Sequence, residues 1–234
     1  TEQIYDDLAF LGLPWRGEPV FQSDRLDRYS QALDRLREMD LVYPCFLTRA
    51  ELAEVLSAPH EPPTATDVVL SADEAARRAG SGMAPAWRLR TAKAVELAES
   101  PTWLDLRTGS RRSVDMSAHG DVIVARRDIR TSYHLSVVVD DMIDGVTLVT
   151  RGMDLEDSTH VHRLLQGILE IPAPAYYHHD LVCDEDGQRL AKRHDALSIS
   201  ELRQSGLSAT EILSHLPDFA ESAIISSYCS VFSN

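Results

Sequence analysis

Four groups of residues have the types and spacing to do chemistry. Residues 187–193, GQRLAKR, put Arg189, Lys192 and Arg193 on one short segment of a chain with 23 basic and 37 acidic residues and a formal net charge of −14. Such a cluster in an acidic background points to an anion. Lysine, a mobile point charge, suits phosphate charge that shifts during transfer; a solvated basic turn is the other reading. Arg151 follows the apolar run 146–150, VTLVT, and precedes Gly152. An arginine at a strand end can clamp a carboxylate with two parallel N–H donors. Tyr133 stands just before a second apolar run, 135–139, LSVVV, and could bring a hydroxyl to the same ligand. The alternatives are a structural ion pair for Arg151 and a packed ring for Tyr133. Asp140 and Asp141 close that second run, and Asp154 lies just past Arg151. Carboxylates so placed could hold a ribose, an ammonium group or a metal, or could cap local backbone N–H groups.

Other chemistries find less support. His160 and His162 are two apart, so on a helix they diverge. Neither they nor His178 and His179 have a metal-ligand spacing with a cysteine. The three cysteines, Cys45, Cys183 and Cys229, are far apart and form no CxxC pair, which fits a reduced compartment. No GxSxG elbow supports a serine triad. The acidic balance argues against nucleic-acid binding over the whole surface but allows one local basic patch. No run of about 18 apolar residues suggests a membrane span, and the opening TEQIYDDLAFLGL is polar and acidic, unlike a secretory leader.

These residues need elements to position them. Ile4, Leu8 and Leu11 share one helical face, ended by Gly12 and Pro14. Ser23 opens a helix over about 24–39 with Leu26, Tyr29, Leu33 and Leu36 on its apolar side. Capping boxes are expected at Thr48/Glu51, Ser71/Glu74 and Ser208/Glu211, and Ser198 or Ser200 can start a helix with Glu201 in its first turn. Residues 86–91, 122–125, 135–139 and 146–150 read as strands, the third as a buried one rich in valine. Asp144-Gly145 and Asp186-Gly187 read as turns, and 158–168 as a helix. Strands alternating with helices predict an α/β core, and 43–121 has the texture of an insertion.

Taken in order, the segments YDDLAFLGLPW, FQSDRLDRYSQALDRL, YPCFLTRAEL, SYHLSVVVDDMIDGVTLVTRGMDLEDSTHVHRLL and GQRLAKR resemble the class I glutamyl-tRNA synthetases, and within them the short glutamyl-queuosine tRNA(Asp) synthetases. The resemblance covers nearly the whole chain. It implies a Rossmann-type α/β catalytic domain with an inserted α/β subdomain. Residues 1–42 and 122–180 would form the catalytic domain, 43–121 an inserted acceptor-type subdomain, and 181–234 the KMSKS-type loop with a C-terminal helical region. It implies ATP-dependent activation of L-glutamate and transfer to queuosine in the anticodon of tRNA(Asp), by a monomer in the cytoplasm, with Mg2+ accompanying ATP. Tyr133 and Arg151 would hold glutamate. Lys192 would act in catalysis and, with Arg189 and Asp154, bind ATP. Asp140 and Asp141 would support the site from beneath.

Three departures accompany the resemblance. The family opens with a strand, a HIGH-type ATP motif and a second strand bearing an acidic glutamate-binding residue. These first elements are absent from the chain, which is expected to be part of a longer protein. Many relatives hold zinc through a CxC-type pair; here Cys45 has Leu47 at the partner position, and zinc is not expected. Arg189 stands where the KMSKS-type loop has its first lysine, with Ala191 and Arg193 in place of serines. The alternatives are the catalytic part of a standard glutamyl-tRNA synthetase and a non-catalytic tRNA-binding relative.

Overall fold

The computed structural model describes residues 2–15, 17–48, 51, 70–183, 198–214 and 216. In chain order, helix α1 spans Glu2–Phe10, α2 Leu26–Glu38 and strand β1 Val42–Cys45. Helix α3 (Ala72–Gly80), β2 (Ala86–Leu89), α4 (Thr91–Leu97), β3 (Thr102–Asp105), β4 (Ser110–Ser113) and β5 (Ile123–Ala125) follow. Then come α5 (Tyr133–Ile143), β6 (Leu148–Gly152), α6 (Glu156–Ile168), β7 (Ala175–His179), α7 (Ile199–Gln204) and α8 (Ala209–Ser214). No helix among the described residues is long and apolar enough to cross a membrane. The elements fall into two units. The larger comprises Phe21–Thr150 and Leu155–Tyr177; the smaller comprises Arg151–Asp154 with the described residues of 1–20 and 178–234.

The larger unit holds the core. In α2, Tyr29, Leu33 and Leu36 are buried at helical spacing, while Leu26 is exposed. The helix stops at Asp40, a left-handed residue whose N–H donates to Arg37 O while that of Leu41 donates to Leu36 O. Aspartate tolerates this conformation better than most side chains. Tyr29, Leu36, Leu135, Val138, Leu164 and Leu165 meet in one apolar cluster contributed by α2, α5 and α6. A three-stranded antiparallel sheet runs β1-β2-β5, with Val42 opposite Leu89 and Cys45 opposite Ala86. Pro44 sits on the edge strand β1, where its missing N–H breaks no ladder. A second sheet runs β4-β3-β7-β6, with β3 antiparallel to β4 and parallel to β7.

One expected element changes type. The run 135–139 is not a strand: it lies inside α5, and Asp140 and Asp141 are helical residues rather than a strand end. Ser132 caps the helix, its hydroxyl accepting the Leu135 N–H at 3.3 Å. Leu135, Val138 and Val139 fall on one buried face at spacings of three and four. Their burial outweighs the modest helix propensity of valine. Asp144-Gly145 is correspondingly a helix stop. Gly145 takes φ 65°, its N–H donates to Met142 O, and that of Val146 to Asp141 O. The strand expected at 146–150 forms two residues later, at Leu148–Gly152.

Candidate functional site

Arg151 lies in β6, at the start of a stretch that belongs to the smaller unit. It is half-buried, and its Nε donates to Nε2 of His178, 3.2 Å away in β7. His178 is buried. An imidazole that accepts there is unprotonated at that nitrogen, so it fixes one edge of the guanidinium without neutralising its charge. Sequence reading considered His178 only as a metal ligand and missed this role; its partner is 27 residues away.

The next turn is built for close approach. A Cβ added to Gly152 would stand 2.5 Å from Asp154 Oδ1 and 2.9 Å from Leu181 Cδ2. Both are ends of side chains able to move. Gly152→Ala should therefore cost stability less than about 1 kcal/mol while pushing the Asp154 carboxylate aside. If Asp154 contacts the nucleotide, this variant should raise the KM for ATP roughly 10-fold, from loss of one hydrogen bond to a charged group. An unchanged KM for ATP, measured beside a melting curve, would remove Asp154 from the site.

Tyr133 begins α5 in the larger unit and is 45% exposed. Its ring meets that of His162 edge-on, with centroids 5.3 Å apart, and that of His134 at 5.5 Å. Nδ1 of His134 and Nε2 of His162 lie 3.1 Å apart. The expectation that Tyr133 precedes a strand is corrected: it opens a capped helix, and the cap orients its backbone.

Asp140 is engaged in the larger unit. Its carboxylate accepts from Gln22 Nε2 at 2.8 Å, from Arg25 Nη1 at 3.0 Å and from the Tyr29 hydroxyl at 2.8 and 2.9 Å. Arg25 also reaches Asp144, at 2.5 and 2.9 Å. The pKa of Asp144 is lowered by its hydrogen bond from Arg25. Burial first, and then the neighbouring Asp140, push the Tyr29 hydroxyl well above the usual phenol range, so it remains a donor. Arg189 and Lys192 lie outside the described residues.

Among the described residues no group of three or more His, Cys, Asp or Glu side chains could hold a metal ion. Cys45 is buried on β1. Mg2+ commonly keeps several waters and binds through substrate phosphates, so it needs no protein cage.

An arginine held by a buried histidine beside a glycine-tight turn, within an α/β fold carrying a second sheet, narrows the class. The family described as tRNA synthetases class I (E and Q), catalytic domain, matches residues 1–220, and the chain belongs to it. This is a family of ATP-dependent, amino-acid-activating ligases. Within it, the chain is 41% identical over 224 residues to the glutamyl-Q tRNA(Asp) synthetase of Rhodobacter capsulatus, covering 90% of this chain and 79% of that protein. It is 40% identical over 217 residues to the glutamyl-Q tRNA(Asp) synthetase of Nocardia farcinica, covering 91% of this chain and 66% of that protein. The crystal structure of a glutamate tRNA ligase from Elizabethkingia meningosepticum, in complex with its amino acid, shares the fold with a TM-score of 0.65 at 22% identity. That match covers 88% of this chain, which spans 43% of the length of the solved ligase.

Proposed function

We propose that this chain belongs to an enzyme that activates L-glutamate with ATP and transfers the glutamyl group to queuosine in the anticodon of tRNA(Asp). The observation that carries this reading is the likeness, over nearly the whole chain, to proteins of that activity. Resident chemistry fits it. In the first step a substrate carboxylate oxygen bonds to the α-phosphorus of ATP and pyrophosphate leaves. In the second, a hydroxyl of the modified base attacks the glutamyl carbonyl and AMP leaves. Neither step needs a covalent enzyme intermediate, so the protein's task is positioning and charge stabilisation.

In this reading Arg151, steadied by His178, clamps a glutamate carboxylate, and Tyr133 donates its hydroxyl to the same substrate. Asp154 accepts from the adenosine moiety. Lys192 and Arg189 balance charge on the departing pyrophosphate, which Mg2+ would accompany. Asp140 and Asp141 support the site through the helix they share. Residues 1–42 and 122–180 serve as the catalytic domain, 43–121 as an acceptor-type subdomain, and 181–234 as the KMSKS-type loop with its helical region. The protein is taken to work as a monomer in the cytoplasm.

The test is glutamate-dependent ATP–pyrophosphate exchange by the full-length protein, followed by transfer of labelled glutamate. Exchange with transfer to queuosine-containing tRNA(Asp) is expected. Charging of tRNA(Glu) at its 3′ end would instead make it a standard glutamyl-tRNA synthetase, and no exchange would make it a non-catalytic relative. Lys192→Ala should depress the exchange rate by on the order of 100-fold, the cost of removing a charge that acts on the transition state, while leaving glutamate affinity nearly unchanged. Equal losses in both would mean that the loop is structural.

A further inference from the structure

The geometry points to His162, acting through His134, as a positioning residue that holds Tyr133 for the amino-acid substrate. This rests on the reading of Tyr133 as a glutamate contact. Three rings form a closed triangle: His134–His162 centroids are 5.2 Å apart, Tyr133–His162 5.3 Å and Tyr133–His134 5.5 Å. Their roles differ by burial. Tyr133 is largely open, His134 is half-buried and His162 is only 2% exposed.

A buried imidazole is costly unless hydrogen-bonded, and His162 Nε2 meets His134 Nδ1 at 3.1 Å. One of those nitrogens must carry the hydrogen and the other must be bare, so the contact sets a tautomer relation between the two rings. His162 sits on α6 in a buried stripe with Val161, Leu164 and Leu165, so its backbone is fixed by the core. His134 sits beside Tyr133 on the first turn of α5. The core therefore fixes His162, His162 fixes the ring of His134, and both imidazoles pack against the phenol ring. An exposed tyrosine alone would sample several rotamers; that packing holds its hydroxyl along one direction. Gains in orientation of this kind act on substrate affinity and on reaction geometry.

The test uses the full-length protein and KM values for glutamate and ATP in pyrophosphate exchange. His162→Leu should raise the KM for glutamate about 10-fold and leave that for ATP within about twofold, the signature of lost positioning at one substrate. His162→Gln, whose amide can still pair with His134, should recover most of the loss. Tyr133→Phe separates the two readings. If it raises the KM for glutamate and His162→Leu does not, the positioning role falls while the site stands. If Tyr133→Phe changes nothing, the site reading falls and the positioning role falls with it. Parallel rises for glutamate and ATP in His162→Leu would mean a general packing role and overturn the inference. Should His162→Leu fail to fold, His134→Leu reads the same question from the less buried side, and an unchanged KM for glutamate there overturns it. Long-range 15N spectra should show His134 Nδ1 and His162 Nε2 in opposite protonation states; two protonated or two bare nitrogens would also overturn it.

Discussion

Replacing Arg151 with alanine should raise the glutamate concentration for half-maximal pyrophosphate exchange by on the order of 100-fold, since two charge-assisted hydrogen bonds of about 1.5–3 kcal/mol each would be lost in part to water. The guanidinium is held at Nε by His178, and in the proposed site its planar fork grips the carboxylate with two parallel N–H donors. The effect should fall on glutamate rather than on ATP. Arg151→Lys should recover only a fraction, because an ammonium keeps the charge but lacks the planar fork and the Nε hydrogen that meets His178. The measurement is a pair of KM values with a melting curve for each variant. An alanine variant that saturates with glutamate at the wild-type concentration would remove Arg151 from the substrate site and leave it a structural partner of His178.

The second large effect concerns stability. Asp140→Ala should strand the buried Tyr29 hydroxyl, whose acceptors in the structure are the two Asp140 oxygens. Leaving that donor unsatisfied costs about 2 kcal/mol, a fall in Tm of roughly 5 °C for a chain of this size. Arg25 retains Asp144, so the damage is partial rather than complete. Tyr29→Phe removes the donor along with its need for a partner and should cost less. The double variant should be no worse than Asp140→Ala alone, because the groups form one interacting unit. Exchange per folded molecule should stay near wild type. A collapse of exchange at unchanged Tm would show that Asp140 touches a substrate.

Local signals in the sequence were the most legible. The Ser198/Glu201 pair forms its capping box, with both reciprocal hydrogen bonds present, and Ser208/Glu211 does the same. Their chemistry is complete within four residues. The apolar side of α2 was also readable, because three of its four members face one core. The run LSVVV was misread because β-branched residues favour strands on average. The better evidence was the serine three residues before a leucine and the spacing of the buried positions, both helical features. Partners of the site residues were not legible. His178 meets Arg151, and His162 meets His134 at a separation of 28 residues, through folding alone. A histidine within the buried stripe of α6 was the one hint, and it gives no address for its partner. Arg189 and Lys192 remain expectations from the motif they resemble.

Arg163 illustrates what such partnerships demand of a lineage. Buried on α6, it donates from Nε to Thr102 O and from Nη1 to Gln166 Oε1, while Gln166 Nε2 donates to the Tyr176 hydroxyl. Burial lowers the pKa of this guanidinium. Each member supplies what the next requires, and all three side chains are enclosed. A change at one position alone would orphan a buried donor or acceptor. Positions 163, 166 and 176 should therefore covary: relatives that lose the arginine should replace the glutamine and tyrosine as well, and drift at these sites should proceed in linked exchanges rather than single steps.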